Sequence, residues 1–171
     1  ELLGAERGLA RSRIRVGAPG EAEPALRRIF QVARERYGES HPLFADTAND
    51  LASLYFFLGR HEAALEHYAI AHRARAAAYG PDDASTIQSL TNKAVVHAIT
   101  GQFALAESTF RDVLARLRRV HGAEHPATLN AEQNLATMLG NSGQTARALE
   151  VYRELLPRYR RVMGETHPDT L

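Results

Sequence analysis

The sequence predicts an all-α solenoid of antiparallel helix pairs, on three observations. Glycines recur at a fixed step: Gly38, Gly80, Gly122 and Gly164 stand 42 residues apart, and Gly17, Gly59, Gly101 and Gly143 keep the same step. Amphipathic segments run between them, with apolar residues at spacings of three and four, the period of one helix face. No segment sustains the alternation of a half-buried strand, so no sheet is expected. A long fixed period marks a repeat architecture, in which each unit buries its apolar face only against its neighbours.

The elements follow in order. Residues 1–16 look helical but carry a partial stripe of Leu2, Leu3, Leu9, Ala10 and Ile14. Gly17-Ala18-Pro19-Gly20 is a break. Residues 21–37 place Ala22, Leu26, Ile29, Phe30, Ala33 and Tyr37 on one face, with Pro24 expected in the first turn, where a missing N–H is tolerated. These two segments make a divergent first pair, residues 1–37. Gly38 suits a left-handed helix cap, and Pro42 suits the start of the next helix. The first regular copy, 38–79, pairs 43–58, bearing Ala48, Leu51, Ala52, Tyr55 and Leu58, with 61–79, bearing Ala64, Leu65, Tyr68 and Ala71. The second, 80–121, pairs 85–100 with 103–120. The third, 122–163, pairs 127–142 with 145–162, and residues 164–171 open a further copy.

Departures from the period carry their own expectations. His41, His125 and His167 share one linker position beside a proline and are expected to fix that linker, whereas Gly80-Pro81-Asp82-Asp83-Ala84 lacks the His-Pro pair. Lys93 stands where Leu51 and Leu135 stand, and His97 where Tyr55 and Leu139 stand. Pro157 falls inside the last helix and is expected to kink or shorten it.

Composition excludes several classes. The 171 residues carry a net charge of +1, so no global field draws nucleic acid or an anionic membrane. The clusters Arg116-Arg118-Arg119 and Arg158-Arg160-Arg161 lie near helix C-termini, where cations complement the macrodipole, and few aromatics interleave with them to stack bases. No apolar run is long enough to span a bilayer. The absence of cysteine removes thiolate chemistry and leaves the compartment open; a cytoplasmic location is the expectation. The chain starts at Glu1 and stops as a repeat begins, so it reads as a piece of a longer protein. There is no phosphate-binding glycine loop and no serine placed in a strained turn beside a base. His61-Glu62 lacks the second histidine of a zinc-protease helix, because Leu65 occupies that place. No catalytic residue, metal site or cofactor is expected.

Small residues decide among helix-pair repeats. Ala52, Ala94 and Ala136 recur midway along the first helices, and Ala64, Ala106 and Ala148 early in the second, followed by Tyr68, Phe110 and Tyr152. Leu51-Ala52, Tyr55, Gly59, Ala64, Tyr68 and Ala71 resemble the tetratricopeptide repeat signature in order and spacing. The 42-residue period and the Gly-x-x-His-Pro-x-Thr linker resemble the kinesin-light-chain subclass, and the arrays that bacterial proteins carry beside signalling ATPase or caspase-like domains. This resemblance implies a right-handed superhelix whose first helices line a concave surface that binds a protein or peptide segment.

In register, that lining is Asp46, Gln88 and Asn130; Asn49, Thr91 and Gln133; Asp50, Asn92 and Asn134; Ser53, Val95 and Thr137; and Phe57, Ile99 and Asn141. Side-chain amides offer a donor and an acceptor to a peptide backbone, or else to a neighbouring helix. Apart from Lys93 these helices bring no cation to the surface, which disfavours a clamp on a C-terminal carboxylate. The expected partner is neutral or mildly basic near Asp46 and Asp50. The other reading is a self-association module, or one that holds an attached effector domain inactive; the oligomeric state is open.

Overall fold

The computed structural model describes residues 2–164. They form α1 (Leu2–Arg15), α2 (Pro19–Tyr37), α3 (Pro42–Phe57), α4 (His61–Tyr79), α5 (Ala84–Ile99), α6 (Phe103–His121), α7 (Pro126–Asn141) and α8 (Thr145–Met163), with no strand among the described residues. The helices α3, α5 and α7 each have 16 residues, and α4, α6 and α8 each have 19. Each starts 42 residues after its predecessor of the same kind, within about one residue of the expected bounds. The further copy expected at 164–171, with His167, lies outside the described residues beyond Gly164.

The chain divides into two compact units, residues 1–96 and 97–171, with the border inside α5. In the first, Ala10, Ala22 and Leu26 of the opening pair join Leu51, Ala52, Leu54, Tyr55, Ala64, Tyr68 and Val96 in one cluster. A second cluster holds Ala33, Phe44, Ala45 and Ala74, and Phe30 of α2 stacks on Phe44 of α3 at 4.6 Å between ring centroids. In the second unit, Leu129 of α7 packs with Leu155 and Tyr159 of α8. Ala52 and Ala64 are fully buried in the first unit, as are Ala106 and Ala136 in the second. A methyl group at those positions lets paired backbones approach closely.

The turns repeat in detail. Between paired helices, Arg60 N–H donates to Tyr55 O at 2.8 Å and Gly59 N–H to Phe56 O at 3.0 Å. Gln102 to His97 and Gln144 to Leu139 make the same long bond at 2.8 and 2.9 Å. This paired bonding around a left-handed glycine satisfies the last helical carbonyls. Between copies, Gly38, Gly80, Gly122 and Gly164 have φ of 83°, 95°, 87° and 89° with strongly extended ψ, a region open essentially to glycine alone.

The linker motif then has a physical account. His41 Nδ1 accepts from Leu43 N–H at 3.1 Å, and His125 Nδ1 from Ala127 N–H at 3.2 Å, so each histidine caps the helix its proline opens. Asp83, which lacks a histidine's ring, does the same work: its Oδ1 accepts from Ser85 N–H at 2.8 Å. Thr86 and Thr128 hydroxyls reach back to Gly80 O and Gly122 O at 2.9 and 2.8 Å. The loss of His-Pro from the second linker is therefore a substitution of one cap for another.

Two proline expectations are corrected. Pro24 is not in the first turn of α2; Pro19 opens the helix, and Pro24 lies inside it. Pro157 does not shorten α8, which keeps the same 19 residues as α4 and α6. Pro157 and Arg153, whose carbonyl loses its donor, are both exposed, so water can satisfy that carbonyl.

His125→Ala is expected to cost about 0.5–1 kcal/mol of stability in urea melts, while His125→Asp, copying Asp83, keeps the parent value. Gly8 of α1 has helical backbone, and beyond its own helix backbone and chain neighbours a methyl group there would meet nothing within 4 Å, whereas Gly122 has φ +87°. Gly8→Ala should therefore stabilise by about 0.5–1 kcal/mol and Gly122→Ala should destabilise by at least as much. Equal effects at the two glycines would contradict this account.

Candidate functional site

In the first unit, the α3 residues Asp46, Asn49 and Asp50 enter a charge network. Arg7 of α1 donates through Nε to Asp50 at 2.7 Å and through Nη1 to Asp46 at 3.1 Å. Arg11 Nε lies 3.7 Å from the other Asp50 oxygen. From α4, Arg75 donates to Asp46 at 2.8 Å, to Asn49 at 3.3 Å, and to Ser89 Oγ and Ser85 O of α5 at 2.9 and 3.0 Å. Asp50 and Arg75 are each 8% exposed. No cation comes from α3 itself; the cations arrive from α1 and α4, and Asp46 and Asp50 are already paired with them. A basic partner would have to displace an arginine.

The Arg7–Asp50 pair is not symmetric. Burial pushes the Asp50 carboxyl above its ordinary range, and the pull of Arg7 and Arg11 does not offset it. For Arg7, burial alone would lower the guanidinium, but Asp50 and Asp46 outweigh it and the net direction is upward. The difference follows depth, since the Asp50 side chain is the less exposed of the two.

The remaining first-helix residues divide in two. Ser53 Oγ and Tyr68 OH lie 3.1 Å apart in the first unit, and Thr137 Oγ1 and Tyr152 OH 2.8 Å apart in the second. Tyr159 OH lies 2.6 Å from Asn130 Oδ1 and 2.8 Å from Gln133 Oε1, a register counterpart of Arg75 reaching Asp46 and Asn49. These positions bond the second helix of their own copy. Others face outward. Gln88 is exposed and donates to half-buried Asn92 at 2.8 Å, with Val95 half-buried nearby on the same helix. Asn134 and Asn141 are exposed, and Phe57 and Ile99 are 62% and 56% exposed.

Sequence reasoning missed Arg7, Arg11, Arg75 and Glu132. Glu132 of α7 is 4% exposed and accepts from Arg118 of α6 and Arg158 of α8, both at 2.5 Å. A signal was present: Glu132 stands in register with Ala48 and Leu90, an apolar place where a carboxylate needs paired cations. Arg158 and Arg161 also hold Glu124, at 3.2 and 2.7 Å, so the arginine clusters form specific ion pairs as well as facing helix ends. Beside Arg118 a cleft of about 360 Å³ lies over Leu135 and Leu139. Among the described residues no group of three or more His, Asp or Glu side chains could hold a metal ion, and no helix is long and apolar enough to cross a membrane.

The Asp50 shift has a pH consequence. A carboxyl raised in the folded state favours folding while protonated; its contribution is present below the ordinary value of 3.8 and is lost as pH rises through the raised one. Asp50→Asn does not titrate. Its melting temperature relative to the parent should therefore climb as pH rises from below 3.8 through the raised value, read by thermal melts at a series of pH values. A relative value that falls over that range would mean that pairing with Arg7 outweighs burial.

Comparison with known proteins agrees with this geometry. The tetratricopeptide repeat family matches in three overlapping stretches, residues 1–76, 43–118 and 85–161. No curated protein is significantly similar to the sequence. Two crystal structures of a Podosopora anserina protein, assigned as a kinesin light chain with nearly identical TPR-like repeats, are similar in fold. One has a TM-score of 0.85 at 22% identity over 94% of this chain and 76% of that one. The other has 0.80 at 23% over 97% and 77%. BtubC (BKLC) of P. vanneervenii gives 0.78 at 22% identity, over 95% of this chain and 63% of its own. Such repeats generally mediate protein–protein interactions on a typically non-catalytic scaffold. With helix pairs, buried alanines and glycine turns on a 42-residue period, the chain belongs to the tetratricopeptide repeat family, with a kinesin-light-chain-like fold.

Proposed function

We propose that the chain is a non-catalytic binding module, within a larger regulatory protein, that takes an extended segment of a partner protein on its first-helix faces. The observation that carries this reading is the outward set on those helices. Gln88, Asn92, Asn134 and Asn141 present amides, and Phe57 and Ile99 of the same set of helices present large apolar surface. Amides can hold a peptide backbone by donor and acceptor alike, and exposed aromatic or aliphatic side chains anchor a partner's apolar residue. Asp46 and Asp50 are already paired with Arg7 and Arg75, so the segment that passes α3 carries no required positive charge.

Asn92→Ala combined with Asn134→Ala tests this. A net hydrogen bond contributes roughly 0.5–1.5 kcal/mol, so losing one at each site should weaken binding about tenfold or more. Titration of a partner segment recovered by pull-down reads the change. Stability should fall little, since Asn134 is exposed and Asn92 bonds only exposed Gln88 in this set. Unchanged affinity with a much lower melting point would make the asparagines structural and remove the main support for the reading.

A further inference from the structure

We propose that the cleft between α6 and α8 is a second binding site, which takes an aromatic side chain of a partner protein with a basic residue beside it. None of its lining residues belongs to the amide set of the first helices, so it goes beyond the reading above. The cleft is open because three rings are missing. Leu114 of α6, Leu139 of α7 and Val151 of α8 line it. Two copies earlier the same register positions hold Phe30, Tyr55 and His67. There the rings fill the place: the His67 centroid lies 5.7 Å from that of Phe30 and 5.1 Å from that of Tyr55, in the tilted and edge-on arrangements such rings favour. The second unit replaces each ring with a smaller aliphatic side chain, and about 360 Å³ opens over Leu135 and Leu139. A ring from outside restores the packing that the first unit has.

A following copy would leave this cleft open. Arg75 of α4 meets the next first helix through Ser85 and Ser89 of α5, and its counterpart on α8 is Tyr159, outside the cleft. Leu105 and Ser108 of α6, in register with Arg147 and Glu150, stay exposed although α7 and α8 follow them. The rim charges then select the partner. Arg118 is held by Glu132, and Arg111 and Arg147 share Glu107. Glu150 and Glu154 are exposed one helical turn apart on the rim, and no hydrogen bond or ion pair holds either among the described residues. The rim charge left to a partner is therefore negative, and it complements a lysine or arginine next to the ring.

The probe is the capped dipeptide acetyl-Phe-Arg-amide, titrated into the chain and followed by NMR shifts of the Leu135 and Leu139 methyl groups. The shifts should saturate in the millimolar range. Acetyl-Ala-Arg-amide should bind at least about tenfold more weakly, because the ring is the anchor. Acetyl-Phe-Glu-amide should bind about twofold to fivefold more weakly, the scale of exposed charge pairs. Leu114→Phe combined with Val151→His copies the first unit; it should fill the cleft, keep the helicity of the parent and weaken the dipeptide about tenfold or more. Glu150→Lys combined with Glu154→Lys changes only exposed positions, so it should fold as the parent does and prefer acetyl-Phe-Glu-amide instead. A parent chain whose methyl shifts do not saturate overturns the proposal. So does equal affinity for the Phe and Ala dipeptides, a folded Leu114→Phe, Val151→His variant that binds like the parent, or a charge preference that survives the lysine substitutions.

Discussion

Positive φ at glycines spaced 42 residues apart is the constraint on which the rest of this structure depends. At the linker glycines the backbone enters a region that other residues cannot hold without strain, and the chain must leave one helix and start another there. The side chains that follow only finish what the glycine begins. His41, Asp83 and His125 each satisfy the N–H of the second helical residue, and Thr86 and Thr128 return to the glycine carbonyl. Because the turns are fixed, the alanines at these positions are buried in every copy, and in the first unit Ala52 and Ala64 share one cluster.

That constraint explains what was legible in the sequence. Glycine spacing and apolar period are local properties, so the bounds of α3 to α8 could be read within about a residue. The side-chain partners were not legible, because each partner comes from a different helix. Nothing local to Asp50 points to Arg7, 43 residues earlier, and nothing local to Glu132 points to Arg158. Asp83 was visible only as a missing histidine until its bond to Ser85 N–H showed the same cap made by another side chain. The expected shortening at Pro157 did not occur for a related reason. Whether Pro157 damages a helix depends on whether the carbonyl it frees meets water or a neighbour, and here that face is exposed.

The weak pattern of α1 also gains a meaning. Arg7 stands where α3 has Asn49, and it spends its guanidinium on Asp46 and Asp50 of the next first helix. An acidic pair on α3, partly removed from water, needs a cation, and a divergent first helix supplies it. Removing one member of such a pair leaves the other charge unmatched, which costs more than the pair itself contributes. Divergence at α1 is thus bound to composition at α3, whose Asp46 and Asp50 are paired with arginines at register positions where the later copies carry amides.

The hydroxyl pairs show how a repeat allots its positions. Ser53 meets Tyr68 and Thr137 meets Tyr152, whereas the middle copy has Val95 and Phe110 at the same places and carries neither hydroxyl. Both polar groups are present together or absent together; for Ser53 and buried Tyr68 a hydroxyl without its partner would cost more than the bond gains, whereas Thr137 and Tyr152 are exposed to water. Positions of this kind are coupled to the second helix of their own copy and cannot change alone. Gln88, Asn92, Asn134 and Asn141 carry no such bond to a second helix in the same set, so they can vary with little effect on folding. A repeat that must fold and also recognise a partner has to separate these two sets. On α3 and α7 the residues bonded to the paired helix, Ser53, Asn130, Gln133 and Thr137, are distinct from the exposed Phe57, Asn134 and Asn141.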